Sequence, residues 1–84
     1  MAFYILIHKN IEDETMARYS FFPSELEEFN DQHGILEINK KNGEVTLIKA
    51  VNPDHGNHYF MRASRKVFVN WRNNEYPDIT TWAS

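Results

Sequence analysis

Only one segment of this chain can cover a sheet. Between Tyr59 and Arg72 the apolar residues recur with helical period: at about 100° per residue, Tyr59, Phe60, Ala63, Val67 and Trp71 fall on one arc, flanked by Met61, Ser64 and Phe68. Arg62, Arg65, Lys66 and Arg72 fall on the opposite arc, with Val69 among them. The pattern predicts an amphipathic helix over residues 57–73. Asn57 or Asp54 suits its N-cap, Asn73 and Asn74 suit its end, and Pro77 forbids continuation. Everything ahead of it must therefore supply a layer for that stripe to lie on.

The preceding segments read as strands. Phe3–Lys9, "FYILIHK", is β-branched and aromatic on both phases, which suits a strand buried on both faces. The polar run "NIEDE" breaks it, and Thr15–Phe22 follows as a second strand joined by a short connection. Pro23 ends that strand, because proline cannot donate to a sheet ladder. Ser24 and Glu27 then have capping-box spacing, which predicts a short helical turn with Leu26 and Phe29 facing inward.

"GILEINKKNGEVTLIKAV" places two strand-like runs around a turn at Asn42-Gly43. A two-residue turn would set Ile38 opposite Leu47, and a three-residue loop would set Leu36 opposite Ile48. Both pair apolar groups, so the register stays open. The tail "YPDITTWAS" is too apolar at Tyr76, Ile79 and Trp82 to hang free, and is expected to fold back over the edge of the core.

The expected architecture is a single α+β domain over residues 1–84. It has a four-stranded, mostly antiparallel sheet of two hairpins, a short helical turn between them, and one C-terminal amphipathic helix as cover. With 84 residues the core is small, but six Phe, four Tyr and two Trp supply large buried areas. There is no Cys, which removes disulfides, thiolate zinc sites and Cys nucleophiles. No stretch has the basic start and long apolar run of a signal peptide, and none has the roughly 20 apolar residues of a membrane helix. The reading is a cytoplasmic protein without membrane contact.

Charge is unevenly laid out within the net −3. Acids dominate residues 10–31 (Glu12, Asp13, Glu14, Glu25, Glu27, Glu28, Asp31), and bases are concentrated at Arg62, Arg65, Lys66 and Arg72. An acidic protein surface, or the 10–31 segment of a second copy in a homodimer, is the partner this basic arc suits best. Nucleic acid is the alternative, with phosphates on the same arc. The net negative charge and the assignment of the rings to the buried arc weigh against it.

Chemistry-bearing motifs are few. His55 and His58, with Asp54 beside them, have metal-compatible spacing if helical. They lie in a turn-forming "NPDHG" run, and His8 or His33 would have to complete the set, so no metal is expected. No G-x-S-x-G elbow, P-loop or dinucleotide fingerprint occurs, so neither catalytic residues nor a cofactor are expected. A site shared between subunits is the remaining enzymatic alternative. The sequence reading is a small non-catalytic protein-binding module of regulatory, inhibitor or immunity type. Its predicted partner-binding residues are Arg62, Arg65, Lys66, Val69, Arg72 and Trp82.

Overall fold

The computed structural model describes residues 4–23, 33–51 and 58–83. In chain order its elements are β1 (Tyr4–Glu12), β2 (Met16–Pro23), β3 (Gly34–Asn39), β4 (Val45–Lys49), α1 (His58–Arg72) and β5 (Ile79–Ala83). The five strands form one sheet in the order β4-β3-β2-β1-β5, with every neighbouring pair antiparallel. The first four strands run as a meander. Helix α1 then carries the chain from one edge back to the other, where β5 joins β1.

Strand alternation separates two faces. Ile5, Ile7, Ala17, Tyr19, Phe21, Leu36 and Ile38 lie on the helix side and are buried. Ala63 and Val67 of α1 close on them, with Tyr59, Phe60 and Trp71 partly buried beside them. The helical stripe is thus the expected one, except at its flank: Met61 is 60% exposed. It sits at the edge of the arc, where the sheet no longer reaches.

The expected sheet of four strands is corrected to five. Ile79–Ala83 pairs in regular register with β1, from His8↔Ile79 to Tyr4↔Ala83. The tail covers the core edge by becoming a strand. The expected break of the first strand at "NIEDE" is also corrected. β1 continues to Glu12 across an irregularity between Lys9 and Ile11, which absorbs Asn10 as an extra residue. Asp13 makes the turn, accepting from the amides of Thr15 and Met16 and from the Thr15 hydroxyl. Pro23 is the last residue of β2, as its missing amide requires.

Neither expected hairpin register holds. The pairs are Leu36↔Leu47 and Ile38↔Val45, which leaves Lys40–Gly43 as a four-residue loop. Gly43 donates to the Asn39 carbonyl at 2.8 Å and has φ of 75°, so glycine meets the positive-φ requirement one step further from the strands. Trp71 fixes the choice: its ring lies on Gly43 and its Nε1 donates to the Lys40 carbonyl at 2.8 Å. The helical turn expected at Ser24, Leu26, Glu27 and Phe29 and the N-cap at Asp54 or Asn57 lie outside the described residues.

Candidate interaction groove

The end of α1 sets where β5 begins. Glu75 donates its amide to the Asn70 carbonyl (2.8 Å) and Asn74 donates to the Trp71 carbonyl (2.9 Å), with Asn74 at φ 58°. This is a Schellman ending, with asparagine in the left-handed position that glycine usually fills. The chain therefore turns sharply and heads back beside the helix.

A set of charges pins the returning segment. Lys9 Nζ donates to the Tyr76 carbonyl (2.8 Å) and lies 3.1 Å from the Asp78 carboxylate. It also bonds Glu12, whose second oxygen takes Lys40 Nζ, each at 2.6 Å. Lys40 stands 4.4 Å from the centre of the Tyr76 ring. The hydrogen bond from Lys40, then that from Lys9, holds the Glu12 carboxyl below its ordinary range. The same Glu12 bond raises Lys9. Glu12 and Asp13 are thus engaged within the fold.

Between α1 and β5 lies an open hollow of about 400 Å³, lined by Arg65, Lys66, Val69, Thr81 and Trp82. A second of about 480 Å³ is lined by Asn70, Glu75, Tyr76, Pro77 and Thr80, drawing on the same helix, the same strand and the segment between them. Both hollows follow the seam between α1 and β5, hereafter termed the trough. Its far end carries Arg65 and Lys66, and its near end carries Glu75, with exposed Asp78 beside it.

The strand edge below the trough is unpaired among the described residues. Lys9 donates its amide to the Asp78 carbonyl, which sets the phase of the ladder. Thr80 and Trp82 turn their amides and carbonyls toward β1, and Ile79, Thr81 and Ala83 turn theirs outward.

Four of the six predicted partner-binding residues, Arg65, Lys66, Val69 and Trp82, come together here. Arg62 and Arg72 do not line the hollow. Arg62 donates to the His58 carbonyl one turn back, and Arg72 is exposed on the last helical turn. Thr81 is not among the expected residues. The β-branched pair Thr80-Thr81 beside Ile79 is the sequence signal that could have identified it.

The histidines resolve differently. His8 and His33 both meet Phe22, His8 edge-on at 5.8 Å and His33 tilted at 4.7 Å between centroids, on the sheet face away from α1. His58 is exposed at the helix start, while Asp54 and His55 lie outside the described residues. Among the described residues no three His, Cys, Asp or Glu side chains gather as a metal site would require. No described helix is long and apolar enough to cross a membrane. Comparisons with protein-family models, with curated proteins and with solved structures find no match to this chain, so its site is read from its own residues.

Proposed function

We propose that this chain is a non-catalytic protein-binding module, regulatory, inhibitory or immunity-type in role, and that the α1–β5 trough is its contact surface. One observation carries the reading: Arg65, Lys66, Val69 and Trp82 converge beside a strand edge whose outward amides have no partner among the described residues. Such an edge binds extended chain by adding a strand, and side chains along the groove then select the sequence. Arginine and tryptophan are also the residues that most often dominate protein interfaces. Val69, 38% exposed, supplies an apolar point between the charged ends. Nucleic acid is the competing reading. Glu75 in the same trough disfavours a phosphate backbone along its length.

The test compares retention of cellular proteins by the unaltered chain with retention by Arg65→Glu/Lys66→Glu, both of which line the hollow. The expected result is a specific retained protein lost on charge reversal, with circular dichroism unchanged. Equal retention by both forms, or a salt-sensitive gel shift with nucleic acid that the reversal abolishes, would overturn the proposal.

A further inference from the structure

We infer that the trough receives a second copy of this chain, with β5 pairing antiparallel to the β5 of its twin to make one continuous sheet. The inference rests on the protein-binding reading of the same surface and names the occupant.

The two sheet edges differ in protection. β4 ends in Lys49, and its pairing with β3 shifts register between Ile35 and Leu36. A charge and an irregularity are common devices against edge-to-edge association. β5 has neither: Ile-Thr-Thr-Trp-Ala is uncharged, free of proline and regular in register. Ile79 at its start is 58% exposed.

Symmetry makes this edge complementary to itself. A two-fold axis perpendicular to the sheet at Thr81 would pair Thr81 with its counterpart and Ile79 with the twin's Ala83. All the outward-facing amides of β5 would then be used. On the helix side Thr80 would adjoin the twin's Trp82, and on the other face the two Thr81 side chains would meet. Both are favourable cross-strand pairs. The axis keeps both helices on the same face, running in opposite directions.

Charge follows the same logic. β5 runs from the Glu75 and Asp78 end to the Arg65 and Lys66 end. An antiparallel twin reverses that order, so each copy's acids approach the other copy's bases. An isologous contact requires this self-complementarity, and a uniformly basic groove would repel its own image.

The test is the mass of the full chain in solution by sedimentation across a dilution series. The expected result is a concentration-dependent dimer. Thr81→Pro should make it monomeric with unchanged circular dichroism, because the amide it removes faces away from β1 and proline is tolerated there. Arg65→Glu and Glu75→Arg should each weaken the dimer about fivefold, the scale of an exposed ion pair, and the double variant should recover most of that loss. Should Thr81→Pro disturb the fold, the charge exchange decides alone. A monomer at all concentrations, or a dimer indifferent to these changes, overturns self-pairing. A monomer that still retains a foreign protein through Arg65 and Lys66 would overturn self-pairing and leave the protein-binding reading standing. An intact β5 dimer whose unaltered chain retains no foreign protein would do the reverse.

Discussion

Trp71 lies so closely on Gly43 that a Cβ added to the glycine would fall 2.6 Å from the ring's Cζ3. The last turn of α1 and the β3–β4 loop are thereby locked, with the Nε1 bond to Lys40 closing the contact. Gly43→Ala meets two penalties, a left-handed backbone at φ 75° and a collision with the ring. The expected loss is about 2–4 kcal/mol, read from urea unfolding. In a Trp71→Ala background the steric part should vanish, leaving the backbone part of about 1–2 kcal/mol. Equal losses in both backgrounds would show that the ring does not oppose the methyl group.

Phe21 covers Gly34 in the same manner, directly across the β2–β3 ladder. A methyl group at Gly34 would occupy space that the Phe21 ring now fills. Gly34→Ala is therefore expected to cost roughly 1–3 kcal/mol. Combining it with Phe21→Leu, which makes room, should cost less than the sum of the separate changes. Strict additivity in thermal unfolding would remove this explanation.

Acid should weaken the fold through two carboxylates. Glu12, bonded by Lys40 and Lys9, and Asp13, bonded first by the Thr15 amide, are both held below their ordinary values of 4.5 and 3.8. Their folded-state values are depressed, so their contribution is present above the unfolded values and is lost as pH falls through the folded ones. Glu12→Gln should flatten the decline of the urea midpoint below about pH 4.5. At neutral pH it should cost under about 1 kcal/mol, as exposed ion pairs do. A midpoint that falls as steeply in the variant would place the acid sensitivity elsewhere.

Alkali should act through Tyr19. Burial pushes its hydroxyl up to about 12 from an ordinary 10. A raised folded value means full stability below pH 10 and progressive loss from there toward about 12, because the unfolded chain ionises first. Tyr19→Phe should make stability flatter over that interval, apart from the later contribution of Lys9, whose value is also raised. An alkaline decline of the urea midpoint that Tyr19→Phe leaves unchanged would contradict the prediction.

Long periodic segments are legible in the sequence. The α1 stripe repeats over several turns, so the spacing of Ala63, Val67 and Trp71 is enough to assign them to the core. The β3–β4 hairpin is legible from Gly43, but its register is not. Glycine at that place serves loops of several lengths, and the choice is made by Trp71, remote in sequence. β5 escapes a strand assignment because five residues give too little alternation, and its pairing depends on where α1 delivers the chain. The site is half legible for a related reason. Helical projection tells which residues face away from the core, but only the position of β5 separates Arg65, Lys66 and Val69 from Arg62 and Arg72.

The order β4-β3-β2-β1-β5 also has a kinetic meaning. Three of the four strand pairings join strands that are successive in the chain, while β1–β5 joins the first to the last. That closure joins the most distant of the described strands and carries the largest loop entropy of any pairing in the sheet. The edge that shapes the trough is thus expected to be the last part of the sheet to assemble. Amide exchange should be faster in β5 than in β2, and the trough should come and go with the final step of folding.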